Sequence, residues 1–320
     1  MKKLTEEIRR KAKELLASGT VQYVLGYEAA RNAYEPRPVF IRRPEDVDRL
    51  VWNPFCANTL AKYLFEDRYK EGKIGIIAKG CDSRGIVRLI NDGQITREQV
   101  YIIGVPCTGL LDPAKLPPVP DGVPVEVEDQ GESFSLALPG GAKVVAKAEA
   151  MPAKCQNCDY PNPVISDVII GKEVQPRQVT PQARYAEVIE LEAYKPEAKK
   201  AYWESVFDRC IRCYACRNVC PACDCKECVF DQAEPRWVSK AINVPENRIF
   251  HITRALHVAG RCVECGECDR ICPMHIPIRK LNKKIAKDLG ELFGEQRPGT
   301  QLEEKPALGF YAVNDPEEFM

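Results

Sequence analysis

The sequence predicts an α/β N-terminal domain with a βαβ unit, followed by a mainly helical C-terminal domain. The first part of this prediction comes from two short apolar runs, residues 74–78 and 101–105, which flank a segment with helical periodicity. The second part comes from helical patterns at residues 183–209 and 246–259. Two runs of four cysteines lie near these helices, within residues 210–272. The chain has 320 residues, enough for about two domains.

Both cysteine runs have the spacing C-x2-C-x2-C-x3-C-P, which is the ligand run of a bacterial [4Fe–4S] site. Three cysteines spaced by two residues can wrap one face of the cube, and the fourth is carried towards the neighbouring cube. The sequence therefore predicts crossed ligation. The expected ligands are Cys210, Cys213, Cys216 and Cys272 for cluster 1, and Cys262, Cys265, Cys268 and Cys220 for cluster 2.

Composition favours iron–sulfur clusters over the other roles of cysteine. Zinc sites usually offer two C-x2-C knuckles rather than four-cysteine runs. Disulfides need an oxidising compartment, and the start of the chain, MKKLTEEIRRKAKELL, has no signal-peptide core. We therefore expect a cytoplasmic protein whose 16 cysteines bind metal. The 46 basic and 46 acidic residues argue against a nucleic-acid partner, and no apolar run is long enough to span a membrane.

The elements before the βαβ unit are predicted from local patterns. Residues 5–17 are expected to form an amphipathic helix, residues 21–27 and 39–41 strands, and residues 44–50 a second helical stretch. Asn53 and Pro54 then predict the start of a further helix. Cys56 lies near its first turn, where a helix N-terminus favours a thiolate. A buried apolar cysteine is the alternative.

The βαβ unit is expected to bring two further cysteines together. Cys81 and Cys107 each follow one of the two apolar runs. Both should therefore lie at the carboxyl edge of a parallel sheet, where ligands bind in open α/β folds. Lys79 and Arg84 flank the helix start but match no phosphate-loop pattern. We interpret them as solvated surface charges.

A pair of cysteines later in the chain suggests a third metal site. After a proline-rich connector, three strands are predicted at residues 123–127, 134–138 and 143–148. Cys155 and Cys158 then form a C-x2-C pair, a pattern shared by zinc knuckles and redox dithiols. No second C-x2-C pair lies close by in sequence. We expect Cys107, Cys155 and Cys158 to form cluster 3 with either Cys81 or Cys56.

Three short motifs carry a resemblance over residues 20–171: GVPC at 104–107, CQNC at 155–158 and SDVIIG at 166–171. They resemble the beta-subunit family of hydrogenases and dehydrogenases that use the deazaflavin coenzyme F-420. That family places a similar G-x-P-C and a later C-x-x-C around one [4Fe–4S] cluster, which implies that Cys107, Cys155 and Cys158 are ligands. Members also bind FAD. In this chain the α/β domain ends at a polar linker, residues 172–182. The sequence alone therefore does not decide whether FAD binds.

The cysteine-rich half carries a second resemblance, over residues 205–285. Cys220 and Cys262 lie 42 positions apart, and a predicted helix lies between them. This layout, with the phrase RCVECGECDRICPMHIP, is similar to the helical ferredoxins of heterodisulfide reductase and succinate dehydrogenase iron–sulfur subunits. It implies a mainly helical dicluster ferredoxin-like domain. The predicted division is an α/β domain with one cluster (1–171), a linker and helix (172–200), the dicluster domain (201–290) and a polar tail (291–320).

Three more thiols lie between the two runs: Cys223, Cys225 and Cys228. Together with whichever of Cys56 or Cys81 is left over, they have the number of thiols that a fourth cluster needs. Spare thiols packed beside cluster 1, or a zinc site, are the alternatives.

The histidines and the end of the chain predict less about function than the cysteines do. His251 and His257 lie six positions apart, which is not the spacing of one helix face, and we interpret them as packing or surface residues. His275 follows Cys272 and is expected either to hydrogen-bond near a cluster sulfur or to be an exposed loop residue. The end of the chain, ALGFYAVNDPEEFM, carries aromatic residues that are predicted to dock on a partner.

The sequence contains no Ser–His–Asp set and no phosphate loop, and [4Fe–4S] clusters mainly move single electrons. We therefore predict an iron–sulfur electron-transfer subunit of a multi-subunit anaerobic oxidoreductase, with three or four clusters. By resemblance, its partners are a flavin-containing heterodisulfide-reductase-like subunit and a formate dehydrogenase or hydrogenase catalytic subunit. One alternative is an FAD-dependent subunit that exchanges hydride with coenzyme F-420 or NAD(P). Another is a scaffold protein held by zinc.

Overall fold

The computed structural model describes residues 1–65 and 72–309, which form two structural units. The first unit comprises Met1–Arg84 and Ile95–Gln178. The second comprises Gly85–Gln94 and the chain from Val179 onwards. Residues 310–320, which include most of the aromatic end predicted to dock on a partner, lie outside the described residues.

The first unit is built on two sheets. Its described strands are β1 (Tyr23–Glu28), β2 (Arg37–Ile41), β3 (Ile74–Ala78), β4 (Val100–Gly104), β5 (Glu126–Asp129), β6 (Ser133–Leu138), β7 (Gly141–Ala146) and β8 (Val168–Ile169). The larger sheet has the order β2-β1-β3-β4-β8, with β1 and β2 antiparallel and the other neighbours parallel. The smaller sheet, β5-β6-β7, is antiparallel. Strand β3 is buried at every position, which is why its sequence is continuously apolar.

Four α-helices lie in the described chain up to residue 156, and the part of α2 from Gly85 onwards belongs to the second unit. They are α1 (Lys2–Ala17), α2 (Gly80–Asn91), α3 (Lys147–Ala150) and α4 (Ala153–Gln156). Helix α1 confirms the predicted N-terminal helix and buries Ile8, Ala12 and Leu15 on one face. Helix α2 follows β3 and precedes β4, and β3 and β4 are parallel neighbours. This order places the residues that follow β3 and β4 at the same edge of the sheet.

Two local predictions for the first unit are wrong. No α-helix begins at Asn53. The Asn53 side chain accepts a hydrogen bond from the Phe55 N–H and holds a turn instead. Within residues 53–65 only Ala61–Leu64 is helical, as a 3₁₀ turn. Lys79 and Arg84 are not solvated, because they are 1% and 5% exposed. The Lys79 ammonium lies 2.7 Å from the Asp82 carboxylate, and the Arg84 guanidinium lies over the Tyr160 ring.

The named elements of the second unit from Pro181 to Phe293 are all helices, within the described residues. They are α5 (Pro181–Glu192), α6 (Pro196–Asp208), α7 (Ala215–Asn218), α8 (Val244–His257), α9 (Glu267–Arg270) and α10 (Ile278–Phe293). The helical stretch predicted for residues 183–209 is divided into two helices, α5 and α6. Pro196 occupies the first turn of α6, so a new helix begins there. Helices α6 and α8 pack together, and α10 packs on α5, α8 and α9.

The core of the second unit is partly made of cysteine. Aromatic and aliphatic residues such as Phe207, Phe230 and Phe250 pack in one cluster. The same cluster contains four buried thiols, those of Cys210, Cys216, Cys268 and Cys272. The cysteine runs are therefore part of the interior of this unit.

Candidate metal centres

The thiols predicted for cluster 1 share one pocket. Cys210, Cys213 and Cys216 line it together with Cys272, which comes from the other cysteine run. Its remaining walls are largely apolar and include Phe250 and Ile276. Burial raises the pKa of Cys216 to about 11, and the charges of Cys210, Cys272 and Cys213 also raise it. The structure therefore brings the four predicted ligands of cluster 1 together.

The thiols predicted for cluster 2 show the reciprocal arrangement. Burial raises the pKa of Cys262 to about 11, and the charge of Cys220 is the next largest cause. Burial likewise raises the pKa of Cys268, and the charges of Cys262 and Cys265 add to this effect. Cys220 thus lies beside the second run, although it belongs by sequence to the first.

The two runs adopt the same backbone conformation around their second cysteine. Arg212 and Glu264, just before that cysteine, have φ angles of 54° and 56°. Tyr214 and Gly266, just after it, have φ angles of 60° and 68°. Left-handed backbone is uncommon for residues other than glycine and often occurs at functional sites. Its recurrence at equivalent positions indicates that both loops have the same task.

Backbone N–H groups point at the thiols of these loops. The Arg212 N–H donates to Cys210 Sγ with an N–S distance of 3.4 Å, and the Ile276 N–H donates to Cys272 Sγ at 3.5 Å. The Glu264 N–H makes the equivalent bond to Cys262 and lowers its pKa, against the larger effect of burial. Such bonds stabilise a thiolate, which is the form that binds iron.

The first unit holds a third set of thiols at one edge of its larger sheet. Cys81 lies in the first turn of α2 after β3, Cys107 follows β4, and Cys155 and Cys158 lie in and just after α4. Burial raises the pKa of Cys107, and the charges of Cys155 and Cys81 raise it further. Burial also raises the pKa of Cys81 to about 11, with a smaller contribution in the same direction from Cys158. These four thiols therefore lie close enough to act on one another.

The loops that carry these thiols are held together by backbone contacts. The Cys107 N–H donates to the carbonyl of Pro161 at 2.8 Å, and the Val164 N–H donates to Ser83 Oγ at 2.9 Å. A Cβ atom at Gly80 would lie 1.9 Å from the carbonyl oxygen of Tyr160. Only glycine therefore allows the loop after Cys158 to approach the start of α2 this closely.

Cys56, the other candidate for the fourth ligand, has different neighbours. Its thiol is fully buried, and Cys56 Sγ accepts a hydrogen bond from the Asn53 N–H at 3.4 Å. Burial raises the pKa of Cys56 to about 12. The other groups that act on this pKa are Asn53, Lys79 and Asp82. This is the environment of the buried apolar cysteine that the sequence left as an alternative.

The three additional thiols have unequal environments. Cys225 is exposed, whereas Cys223 and Cys228 are half-buried. The charge of Cys223 acts on the Arg254 guanidinium, and that of Cys228 acts on Arg217. A fourth cluster on these residues stays a prediction.

Helix α8 carries functional candidates that sequence reasoning missed. Asn247, His251 and Arg254 are spaced by four and three residues and are all buried, so they form one polar face inside the unit. Asn247 Nδ2 donates to the carbonyls of Phe207 and Cys210, both at 2.9 Å. His251 lines the cluster 1 pocket, and burial lowers its pKa to about 3, so its imidazole is neutral. Within the part of the chain that the structure describes, Asn247 Oδ1, His251 Nε2 and two nitrogens of Arg254 have no hydrogen-bond partner.

These observations fit iron–sulfur clusters. Buried thiols with raised pKa values need a bound cation before several of them can become thiolates together. The unpartnered N–H donors on α8 need acceptors, and cluster sulfur is an acceptor. No three His, Cys, Asp or Glu side chains in residues 1–65 and 72–309 are arranged around a single metal ion. A cubane differs from a single ion because it holds its thiolates apart across the cluster.

The three histidines have different surroundings in the structure. His251 packs against Phe207, with the ring planes stacked and the centroids 5.2 Å apart. His257 and His275 are both exposed. The packing or surface interpretation of the first two is therefore confirmed, but it missed that His251 lines a cluster pocket. For His275, the structure shows the exposed loop alternative.

The chain is similar to known iron–sulfur proteins. Residues 206–276 match the 4Fe-4S dicluster domain family. The F420-dependent formate dehydrogenase subunit beta of Methanocaldococcus jannaschii is 28% identical over 88% of this chain and 89% of its own length. The F420-dependent formate dehydrogenase 1 subunit beta of Methanococcus maripaludis is 27% identical over 93% of this chain and 91% of its own length. These findings confirm the predicted dicluster domain and the resemblance to the F-420 hydrogenase and dehydrogenase beta-subunit family.

A chain in a solved structure is also similar. It is a chain of the xenon-derivatised F420-reducing [NiFe] hydrogenase complex from Methanosarcina barkeri, with a TM-score of 0.41 and 15% identity, covering 65% of this chain and 88% of that chain. Separately, none of the helices in the described residues has the length and apolar character required to cross a lipid bilayer.

Proposed function

We propose that this chain is an iron–sulfur electron-transfer subunit of a multi-subunit anaerobic oxidoreductase. The observation that carries the proposal is the pocket in the second unit. Three thiols of one cysteine run and one thiol of the other line it together, and its other walls are largely apolar. A [4Fe–4S] cluster bound there accepts and releases single electrons. The match of residues 206–276 to the dicluster family supports the same conclusion.

The residues of the chain have separate tasks in this function. Cys210, Cys213, Cys216 and Cys272 would hold cluster 1, and Cys262, Cys265, Cys268 and Cys220 would hold cluster 2. Cys81, Cys107, Cys155 and Cys158 would hold cluster 3. Phe250 and Ile276 exclude water from the first pocket, while Cys213 is exposed and gives a partner access to that cluster. Electron transfer at this edge therefore needs no opening of the fold.

The proposed partners follow from the relatives. Both are named as beta subunits of F420-dependent formate dehydrogenases. We therefore propose a formate dehydrogenase catalytic subunit as the partner of this chain. A hydrogenase catalytic subunit or a flavin-containing heterodisulfide-reductase-like subunit would use the same one-electron chemistry.

A cavity in the first unit favours a second function for this chain. It has a volume of about 240 Å³ and is lined by Trp52, Lys79, Cys107 and Lys172, among others. Cys107 is a proposed ligand of cluster 3, so a group bound in this cavity would lie beside that cluster. A flavin there would take up two electrons as a hydride and release them singly. The relatives' dependence on F420 supports a deazaflavin as the hydride donor or acceptor.

The deciding experiment is a measurement of iron, acid-labile sulfide, zinc and flavin on one anaerobically purified sample. About 12 irons per chain support three clusters, and about 16 add a cluster on Cys223, Cys225 and Cys228. About eight irons would remove cluster 3 from the proposal. Zinc without iron or sulfide would overturn the electron-transfer function. Stoichiometric flavin, together with reduction of a deazaflavin by the complex, would establish the second function.

A further inference from the structure

Arg254 is a buried cation that has no carboxylate partner among residues 1–65 and 72–309. Its side chain lies inside the second unit at 2% exposure, and none of the carboxylates in the described residues pairs with it. Its Nη2 group donates to the carbonyl oxygen of Cys216 at 3.0 Å. Its Nε and Nη1 groups are buried and have no acceptor among the described residues. A buried guanidinium with two unused donors is costly unless something else in the site accepts these hydrogen bonds.

The neighbours of Arg254 come from both clusters. Cys216 belongs to the set proposed for cluster 1, and Cys220 and Cys268 belong to the set proposed for cluster 2. Burial lowers the pKa of Arg254, but the charges of Cys223, Cys220, Cys268 and Cys216 outweigh burial and raise it above its ordinary value. Arg254 is therefore close enough for its charge to act on cysteines of both sets.

Other buried arginines of the same unit differ in this respect. Arg88 is 1% exposed and pairs with the Asp92 carboxylate at 2.7 Å. Arg279 is 6% exposed and pairs with Glu187 at 2.7 Å. Because carboxylates neutralise these two, their charges have little effect at a distance. Among the described residues, the groups that act against the burial of the Arg254 charge are cysteines.

We propose that Arg254 donates its Nε–H and Nη1–H groups to sulfur atoms of the bound clusters and raises the reduction potential of the dicluster centre. This inference rests on the proposed function, because it requires clusters in the second unit. Reduction would add one electron to a cluster that is already negative, and a fixed positive charge near both sets of ligands favours the added charge. The electron would come from a redox partner in the complex, and no bond or proton of Arg254 would change. Arg254 is therefore a positioning residue with an electrostatic effect.

The test is a redox titration followed by EPR on the full chain, purified anaerobically. Arg254→Met is expected to lower the equilibrium constant for reduction of at least one of the two clusters by tenfold or more, and tenfold corresponds to about 59 mV for one electron. Arg254→Lys keeps the charge but loses the planar fork of donors, so a smaller decrease is expected. Arg88→Met is the matched control, because it removes an equally buried arginine whose charge is already paired, and it should leave both potentials unchanged.

A second measurement covers the case in which Arg254→Met does not assemble its clusters. Wild-type protein labelled with ¹⁵N-arginine should show nitrogen hyperfine coupling to a reduced cluster in pulsed EPR, and labelled Arg254→Lys should lack the Arg254 signal. Absence of that coupling in the wild type, or unchanged potentials in Arg254→Met with full iron content, would overturn the role of Arg254. Absence of iron and sulfide from wild-type protein would instead overturn the proposed function itself.

Discussion

Cys81 and Cys56 show how much the chemistry of a residue depends on its surroundings. Both thiols are close to Lys79 and Asp82, whose charges act on both of their pKa values. Only Cys81 also experiences the charge of Cys158, and Cys107 and Cys155 in turn experience the charge of Cys81. We therefore expect Cys81 to complete cluster 3.

Replacing each of these cysteines tests that assignment. Cys81→Ala should remove about four irons and four sulfides per chain, because cluster 3 loses a ligand. Cys56→Ala is the matched control and should keep the full metal content, since its thiol bonds to the Asn53 N–H. Iron and sulfide analysis of both variants gives the result. The opposite pattern would make Cys56 the fourth ligand.

Crossed ligation makes a prediction for the last cysteine of each run. Cys220→Ala should damage cluster 2, which is built on Cys262, Cys265 and Cys268. Cys272→Ala should damage cluster 1, because Cys272 lines the pocket of Cys210, Cys213 and Cys216. In EPR spectra of the reduced proteins, each variant should therefore retain the signal of a different cluster. If Cys220→Ala lost only cluster 1, ligation would be uncrossed.

The turn between β3 and α2 determines whether the cluster 3 thiols can meet. The turn brings Cys81 to the sheet edge, and Gly80 lets the carbonyl of Tyr160 approach its Cα atom. Lys79 and Asp82 stabilise the same turn. Asp82 accepts hydrogen bonds from the Lys79 N–H and the Leu60 N–H, both at 3.1 Å. The turn is therefore tied to two neighbouring segments of the first unit.

Gly80→Ala should separate these segments. Its Cβ atom would meet backbone at 1.9 Å, and backbone cannot rotate away as a side chain can, so the loop after Cys158 must move. We expect loss of about four irons per chain, with the dicluster EPR signals retained. Gly140→Ala is the control in the same unit, because nothing lies within 4 Å of its Cβ position. Full iron content in Gly80→Ala would show that the loop can adjust.

Helix α8 is the corresponding element of the second unit. Asn247 holds the end of α6 and the first cysteine through the carbonyls of Phe207 and Cys210. One turn further along, His251 lines the cluster 1 pocket, and Arg254 bonds to the carbonyl of Cys216. One helix face therefore positions the first cysteine run and supplies the only charge on that face.

The cores of the two units differ in the residues that form them. The larger sheet of the first unit is packed with aliphatic residues such as Ile76, Ile77, Ile102 and Ile103. The core of the second unit includes Cys210, Cys216, Cys268 and Cys272. Since those thiols are the proposed ligands, clusters would complete the interior of the second unit and contribute to its folding.

Removal of iron should therefore affect the two units unequally. In anaerobically prepared apoprotein, amide hydrogens within residues 210–276 should exchange at least about tenfold faster than in the holoprotein. Those of β3 and β4 should keep their protection, because aliphatic packing maintains that sheet. Hydrogen exchange followed by mass spectrometry measures both regions in one sample, and reconstitution with iron and sulfide should restore the protection. Equal protection with and without iron would show that the second unit folds independently of its clusters.

Much of this architecture could be predicted from the sequence. The apolar run of residues 74–78 coincides with β3, because a strand buried on both faces is continuously apolar. The chain order β3, α2, β4 was enough to predict that Cys81 and Cys107 meet. The turn at Asn53 could not be predicted, since an Asn-Pro pair suits a helix start and a tight turn alike.

Cysteine spacing alone predicts the two dicluster sets, because bond lengths and the size of a cubane restrict which thiols a short run can offer to one cluster. The folded structure was needed to establish the surroundings of Cys81 and Cys56, the burial of Lys79 and the position of Arg254. Each of these depends on segments that are distant in sequence and are brought together by packing. Local residue patterns contain no information about such neighbours, so a buried charge on α8 looks the same in sequence as a solvated one.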